Sequence, residues 1–300
     1  MLESVVLDSA QVEFYQREGY LLLKSVLPSG ILARLRGQTD ERVAAAAKVL
    51  ENNAIYDLED THAAERPRVR RIKVPHTVMP AVDELVRSPV IGSIVAQLLG
   101  TGVRLQTTKL NMKSASYGAA VEWHQDWAFY PHTNDDLLAM GVMFDDCDAG
   151  NAPLMMMPGS HRGPVFDHHA GGFFCGAMDP AALDFSQAVA LTAPAGSLTF
   201  HHVRMVHGSA LNRSPKPRRL LLAQYTAVDA WPLIDRPDDI AAYDAQIIYG
   251  EPTIRARLAD VPVRLPLPPA PYQGSIYENQ RTLGERFFQT HESGINAAAQ

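Results

Sequence analysis

A histidine and an aspartate stand two positions apart in the segment EWHQDW (122–127). On an extended strand, alternate side chains share a face, so His124 and Asp126 are predicted to point to the same side. Two such groups can occupy neighbouring positions on one metal ion, and a third ligand must then come from another strand. His207, in RMVHGSALNRS, is the best candidate. These three residues are therefore predicted to be the metal-binding and catalytic residues.

Two imidazoles and one carboxylate on one face of a metal ion leave three coordination positions open. That ligand set is typical of non-haem iron(II) oxygenases, because a co-substrate and dioxygen must both reach the iron. The H-x-D pair alone is weak support, since the chain holds 11 histidines and chance pairs of this kind are common. His201, six positions before His207, could compete as the third ligand.

An arginine downstream of His207 strengthens the metal hypothesis. Arg218 begins the apolar segment RRLLLAQYTA, eleven positions after His207 (218 − 207). An unpaired buried charge is costly, so an inward-facing Arg218 needs an anionic partner. A carboxylate of a small dicarboxylic co-substrate could supply it through bidentate hydrogen bonds. Ser209, on the same strand face as His207, could donate a further hydrogen bond, whereas Arg219 is predicted to meet solvent.

The sequence pattern that must position these residues changes near residue 102. Upstream of it, the chain is predicted to be mainly helical. Ser9 can cap a helix in AQVEFYQREG that ends at Gly19, and YLLLKSVL is predicted to form a strand. Pro28 fits the first turn of the next helix, and PVIGSIVAQLL (89–99) predicts another.

Downstream of residue 102, short apolar segments alternate with Gly, Pro, Asn and Asp turns. The segments are GVRLQTTKLNMK, AVEWHQDW, LLAMGVMFDD, APLMMMP, GSLTFHH and RRLLLAQYTA. Such a series predicts a sandwich or jelly roll rather than a parallel sheet. We expect one domain over residues 1–300, with a helical part at about 1–100, a strand-rich core at about 101–230 and a C-terminal substrate or lid segment at about 231–300. A short helix is predicted in DDIAAYDAQIIYG of that last segment.

In three motifs the chain resembles the phytanoyl-CoA dioxygenase family. The motifs are WHQD (123–126), NAPLMMMPGSHRG (151–163) and HGSALNRSPKPRR (207–219), and the likeness covers roughly residues 10–228 in the family's order and spacing. It implies a mainly β fold with flanking helices, namely a double-stranded β-helix (jelly roll, cupin-like). It also implies iron(II) as cofactor, with 2-oxoglutarate and O2 as co-substrates.

The same resemblance assigns roles to further residues. It implies that Arg218 and Ser209 hold the distal carboxylate of 2-oxoglutarate, and that Asn111 also contacts this co-substrate. Related halogenases replace the metal carboxylate by Ala or Gly, so the presence of Asp126 disfavours halogenation.

The activity implied is that of an Fe(II)- and 2-oxoglutarate-dependent dioxygenase. It would hydroxylate, or otherwise oxidise, an unactivated C–H bond of a small molecule and release succinate and CO2. Two alternatives stay open from the residues alone. One is a cupin-like metal-dependent isomerase or lyase that does not use 2-oxoglutarate, and the other is a catalytically silent binding protein.

Candidate substrate contacts lie next to the metal motif and in a basic run. Trp127 and Phe129 could form walls of a substrate pocket, or they could simply pack in the barrel. The run RPRVRRIK (66–73) is typical of a solvated face, with recognition of a substrate carboxylate or phosphate as the functional alternative. On a strand, residues 109, 111 and 113 (Lys, Asn, Lys) would share one face, and we expect at most part of that row to point inward without a partner.

Composition narrows the compartment and the partners. The net charge of −6 offers no basic field for nucleic acid or an anionic membrane, and no apolar run reaches the ~20 residues of a membrane span. The opening MLESVVLDSAQVEF lacks the regions of a signal peptide, and Cys147 with Cys175 makes no disulfide framework. We expect a cytoplasmic enzyme, monomeric or homodimeric, whose partner is a small-molecule substrate rather than nucleic acid or a membrane.

Overall fold

The structure is a computed structural model that describes residues 5–100, 102–116, 118–270, 275–280 and 283–290. Parts of the predicted terminal segments, namely residues 1–4, 271–274, 281–282 and 291–300, lie outside the described residues. The helices are α1 (Ser9–Glu18), α2 (Ser29–Ala45), α3 (Pro80–Val86), α4 (Pro89–Leu99), α5 (Ile240–Asp244), α6 (Ile276–Asn279) and α7 (Phe287–Thr290).

The strands carry most of the remaining regular structure. They are β1 (Tyr20–Leu23), β2 (Tyr56–Leu58), β3 (Val69–Lys73), β4 (Val103–Lys113), β5 (Val121–His124), β6 (Leu137–Met143), β7 (Leu154–Met156), β8 (His169–Ala170), β9 (Phe173–Phe174), β10 (Val189–Leu191), β11 (Leu198–His202), β12 (His207–Ser209), β13 (Arg218–Ala227) and β14 (Ile247–Tyr249). Among the described residues, no helix is long and apolar enough to cross a membrane.

Two antiparallel sheets form the body of the protein. The larger has the order β1-β11-β6-β13-β4-β3-β2, with β14 also paired to β4. The smaller has the order β10-β7-β12-β5, and a separate hairpin joins β8 to β9. The prediction of a mainly β protein with flanking helices is confirmed, and so is the antiparallel pairing expected of a sandwich or jelly roll.

The side chains of β13 pack into two hydrophobic cores, one on each face of the larger sheet. Leu221 and Tyr225 belong to the main core, which the sheet shares with residues of α2, α3 and α4. The alternate residues Leu220 and Leu222 pack instead with Met156 of the smaller sheet. Because side chains alternate along a strand, Arg218 at the start of β13 projects to the same side as Leu220 and Leu222, between the sheets.

The N-terminal helix is capped by a different residue from the one predicted. The prediction that Ser9 caps α1 is wrong, because Asp8 is the N-cap and Ser9 is already helical. The Asp8 carboxylate accepts a hydrogen bond from the Gln11 amide at 2.8 Å, and the Gln11 side chain accepts one from the Asp8 amide at 3.0 Å. This reciprocal capping box fixes the start of the helix, and Gly19 ends it as predicted, with a φ of 80°.

The structure also differs from the sequence prediction at the start of α2, in the segment DDIAAYDAQIIYG and in strands β2 and β3. The helix from 89 to 99 is found as predicted, but Pro28 is the residue before α2 rather than part of its first turn. In DDIAAYDAQIIYG only α5 is helical, and β14 pairs with β4. Strands β2 and β3 were not predicted, because β3 consists largely of the charged residues of the basic run.

Replacing Asp8 with alanine tests the capping assignment. Asp8→Ala should lower the free energy of unfolding by about 1 kcal/mol, because the orphan Gln11 amide loses its side-chain partner. Ser9→Ala, the matched control, should change it by less than about 0.5 kcal/mol, as is usual for surface positions. Urea unfolding followed by circular dichroism measures both. Equal losses in the two variants would contradict the assignment.

Candidate active site

The two histidines of the predicted metal group face each other across the smaller sheet. His207 on β12 is paired in register with His124 at the end of β5. Asp126 begins a short 3-10 turn after β5, but Gln125 between them is extended, with φ −115° and ψ 130°. The alternation predicted for His124 and Asp126 therefore continues past the end of the strand. One ligand atom from each of the three residues lies within 4.8 Å of the others.

Backbone carbonyls fix the orientation of both imidazole rings. His124 Nδ1 lies 2.8 Å from the Glu122 carbonyl oxygen, and His207 Nδ1 lies 2.9 Å from that of Met205. A carbonyl oxygen only accepts, so each Nδ1 carries the proton and donates it. The Nε2 atom of each ring is then left with its lone pair, which is the arrangement that a histidine metal ligand needs.

Burial and neighbouring charges hold the three groups in the protonation states that bind metal. Burial lowers the pKa of His124 to about 4 and lowers the pKa of His207 well below its ordinary value. Burial alone would raise the pKa of the Asp126 carboxyl, but the Lys109 ammonium and the adjacent imidazoles hold it well below its usual range. Two neutral imidazoles beside a carboxylate form a donor set that suits a divalent metal ion without further deprotonation.

His201, the alternative third ligand, lies beside the group. Its Nε2 is 3.6 Å from Asp126 Oδ2, and its ring centroid is 4.5 Å from that of His207. It is buried, with 1% of its surface exposed. Among the described residues, the cluster whose ligand atoms converge contains His124, Asp126 and His207 rather than His201.

A small cavity of about 30 Å³ adjoins both histidines and is lined by cations. Its lining includes Lys109, Asn111, Lys113, Ser209 and Arg218, and within the described residues it contains no carboxylate. All three members of the 109–113 row line this cavity, and both lysines have partners there: Lys109 pairs with Asp126 at 3.8 Å, and Lys113 contacts backbone carbonyls. The sequence did not reveal the contacts that make such burial tolerable.

Arg218 and Lys113 are buried against backbone carbonyls. Arg218 donates from Nε and Nη2 to the Ala152 carbonyl oxygen, at 3.1 and 2.8 Å. Lys113 Nζ donates to the carbonyl oxygens of Ser209 and Ala210. Burial lowers the pKa of Arg218, and burial together with the charge of Arg218 lowers the pKa of Lys113 well below its ordinary value. An anion bound in this cavity would offset the free-energy cost of burying these two charged groups.

Two other positions in and around this cavity bear on the predicted co-substrate contacts. Asn111 Oδ1 is buried and has no hydrogen-bond partner among the described residues. Arg219 points to the opposite face of β13, as predicted, but it does not simply meet solvent. Its guanidinium pairs with Asp145 at 2.7 Å and with Asp40 at 2.8 Å.

A second cavity, of about 190 Å³, lies on the Asp126 side of the cluster. Phe129 lines it, as expected of a substrate wall, together with Tyr130 and Lys109. Trp127 packs elsewhere: it is 1% exposed, contacts the Leu137 cluster and donates from Nε1 to the Pro262 carbonyl oxygen at 2.9 Å. Of the two interpretations of Trp127, the structure supports packing in the barrel.

The basic run is not a solvated face. Arg68 and Arg70 are 7% and 4% exposed, and Arg71 is half-buried. Arg70 pairs with Glu59 at 3.1 Å, and Arg71 pairs with the buried Asp57 at 2.7 Å. Sequence analysis missed these pairs, although the acidic residues of YDLED and the bases of RVRRIK form a complementary pattern. Arg71 also lines the second cavity.

A C-terminal segment covers both cavities. Ile276 of α6 lines each of them, and Tyr277 lines the smaller one. The Gln280 side chain accepts a hydrogen bond from the Glu122 amide at 3.0 Å, and Glu122 Oε2 accepts from the Phe287 amide at 3.0 Å. The segment is thus attached to the strand that carries His124.

A jelly roll that brings two histidines and one aspartate together at its mouth defines the class of mononuclear non-haem iron oxygenases. Comparison with protein families agrees, since residues 15–220 match the model described as phytanoyl-CoA dioxygenase (PhyH). The chain belongs to the phytanoyl-CoA dioxygenase family.

Relatives and solved structures extend this likeness over most of the chain. The chain is 37% identical over 280 residues to a probable alpha-ketoglutarate-dependent hypophosphite dioxygenase of Stutzerimonas stutzeri, covering 91% of this chain and 97% of that one. It is 28% identical over 264 residues to the ectoine dioxygenase of Bordetella parapertussis, covering 80% and 83%. The crystal structure of EctD from S. alaskensis with bound Fe superposes with a TM-score of 0.66 at 24% identity, covering 86% of this chain and 92% of that one.

These findings establish the class of reaction. The chain is a 2-oxoglutarate-dependent non-haem iron dioxygenase with a jelly-roll fold, which oxidises a small-molecule substrate with release of succinate and CO2. Iron and 2-oxoglutarate are its cofactor and co-substrate. The predicted family, fold, activity and cofactors are confirmed, and the isomerase, lyase and silent-binder alternatives are not supported.

Proposed function

We propose that His124, Asp126 and His207 hold the iron ion, that Arg218 and Ser209 hold the distal carboxylate of 2-oxoglutarate, and that Asn111 makes a further contact with this co-substrate. One observation carries this assignment. A converging set of two neutral imidazoles and a carboxylate opens onto a cavity whose lining includes an arginine and two lysines but, among the described residues, no acid. A divalent cation and an organic dianion are the complementary pair of ligands.

The chain's own residues act by fixing positions. The Glu122 and Met205 carbonyls hold the two rings so that both Nε2 atoms face the metal position. The Ala152 carbonyl fixes the Arg218 guanidinium before any ligand arrives, which lowers the entropic cost of binding a carboxylate. When bound, iron, 2-oxoglutarate and dioxygen supply the oxidation of an unactivated bond, which no side chain can perform.

The cavity on the Asp126 side is proposed as the substrate site. It adjoins the metal cluster through Asp126, and Phe129 supplies an aromatic wall whose ring centroid is 5.9 Å from that of His124. Residues 275–280 are proposed to be the part of the C-terminal segment that closes it, because Ser275, Ile276 and Asn279 line it. The helical part, core and C-terminal segment then serve one catalytic domain.

The size of the site favours a small polar substrate. At about 190 Å³, the cavity is smaller than the ~300–1,000 Å³ typical of pockets for drug-sized ligands. The two relatives described above are named for hypophosphite, a small anion, and for ectoine, a small zwitterion. We propose that this chain acts on a substrate in the same size range.

Alanine substitutions test the metal ligands. His207→Ala or Asp126→Ala should weaken iron(II) binding by at least about 100-fold, since loss of even an outer partner of a ligand typically costs ~10–100-fold. His201→Ala should cost about tenfold or less, because this histidine contacts Asp126 outside the converging cluster. His169→Ala, outside the site, is the control. Anaerobic iron titration gives the affinities, and a loss in His201→Ala equal to that in His207→Ala would contradict the assignment.

Two neighbouring arginines provide a matched test of co-substrate binding. Arg218→Ala should weaken 2-oxoglutarate binding to the iron-loaded protein by about 2 kcal/mol or more, roughly 30-fold, because a buried carboxylate loses its charged partner. Arg219→Ala removes the same charge from the opposite face of β13 and should leave this affinity within about threefold. Calorimetry measures binding, and succinate formation measures turnover. Unchanged affinity in Arg218→Ala would refute the proposed role.

A further inference from the structure

The cavity on the Asp126 side is lined by two cations that are not among the residues proposed to hold iron or the distal carboxylate of 2-oxoglutarate. Lys109 and Arg71 both line it, on the neighbouring strands β4 and β3. The acidic group among its described lining residues is Asp126, and that carboxylate is proposed to bind the iron. With iron bound, the charge that remains for a substrate in this cavity is positive.

Lys109 is placed to donate hydrogen bonds into the cavity. Its Nζ is 3.8 Å from Asp126 Oδ1, too far for a hydrogen bond of ordinary length, and 5.9 Å from the centroid of the Tyr130 ring. The side chain is only 18% exposed, so solvation by bulk water is limited. A mostly buried ammonium with three donors is stabilised strongly by an anionic ligand.

Arg71 is held in position by the strand next to it. Its Nε donates to Asp57 Oδ2 at 2.8 Å, its Nη2 lies 2.7 Å from the same oxygen in an ion pair, and Asp57 also pairs with Lys73 at 2.7 Å. Two cations thus share one buried carboxylate, which leaves this cluster with a net positive charge. These contacts with Asp57 lie on one edge of the guanidinium, and Nη1 on the other edge carries further N–H donors.

We propose that the substrate of this enzyme carries a small oxyanion group, which binds between Lys109 Nζ and the Arg71 guanidinium. This inference rests on the proposed metal and co-substrate site and adds the substrate class to it. Fixed donors from two strands suit a compact anionic group, and the Asp57 pairing fixes Arg71 before the substrate enters. The oxyanion could belong to a phosphorus acid or to a carboxylic acid, and both share this chemistry.

Substrate binding to the loaded protein tests the proposal without depending on turnover. The full chain is loaded with iron(II) and saturating 2-oxoglutarate without oxygen, then titrated with hypophosphite, methylphosphonate, acetate and acetamide by calorimetry. Hypophosphite, methylphosphonate or acetate should bind more tightly than acetamide, the neutral isostere of acetate. Tighter binding of the phosphorus anions assigns a phosphorus oxyanion, and tighter binding of acetate assigns a carboxylate.

Charge-removing variants assign the contact to particular residues. Lys109→Met should weaken binding of the preferred anion about tenfold or more, and Lys109→Arg should largely retain it. The paired change Asp57→Asn with Arg71→Gln removes the ion pair as a unit, so no buried carboxylate is orphaned, and it should weaken anion binding similarly. Arg66→Gln, at an exposed position of the same basic run, is the control and should have no effect.

The affinity for 2-oxoglutarate separates the two levels of the hypothesis. It should stay within about threefold of the parent value in the paired Asp57→Asn/Arg71→Gln variant, because neither residue lines the cavity assigned to 2-oxoglutarate. If iron and 2-oxoglutarate bind normally but none of the three anions binds more tightly than acetamide, the inference is overturned alone. Unchanged anion affinity in Lys109→Met, or a loss confined to 2-oxoglutarate, overturns it too. Failure of iron or 2-oxoglutarate to bind overturns the proposed site as well.

Discussion

The register between β5 and β12 is the constraint on which the active site depends. His207 lies opposite His124, and a shift of one residue in this pairing would turn one of the two imidazoles away from the other. The same ladder places the Met205 and Glu122 carbonyls where they orient the rings. Because β12 also pairs with β7 on its other edge, neighbours on both sides hold that register, and Asp126 needs only one further extended residue to join the group.

Around this ladder, the protein accumulates buried positive charge and satisfies it with uncharged acceptors. Arg218 and Lys113 donate to backbone carbonyls, so their hydrogen bonds are met while their charge is not neutralised. Arg70, by contrast, is matched by Glu59, whereas Arg71 and Lys73 share Asp57 and so keep a net positive charge. A cation whose charge is neutralised by a carboxylate stabilises the fold and attracts a ligand anion only weakly. A cation whose charge is not neutralised attracts an anion strongly.

Sequence reasoning reached the features that depend on local spacing. The helix at 89–99 is bounded by Ser88 and Gly100, and the ligand pair His124 and Asp126 follows from alternation. It failed where a choice depends on distant partners. Asp8 and Ser9 are adjacent and both suit an N-cap, so only the Gln11 contact decides between them. Residues 66–73 resemble a surface because their acidic partners come from an earlier strand, and Trp127 resembles a pocket wall until its Leu137 neighbours are seen.

Glu122 connects the metal centre to the C-terminal segment that covers the cavities (residues 275–280 and 283–290) by three different groups. Its carbonyl orients His124. Its carboxylate accepts hydrogen bonds from the Phe287 and Phe288 amides, and its amide donates a hydrogen bond to the Gln280 side chain. Docking of this cover and ligand occupancy of the cavities beneath it are therefore thermodynamically linked, and each must favour the other by the same factor. When ligands occupy the active site, the C-terminal segment is then docked more stably than when the site is empty. Release of the product is therefore coupled to release of this segment.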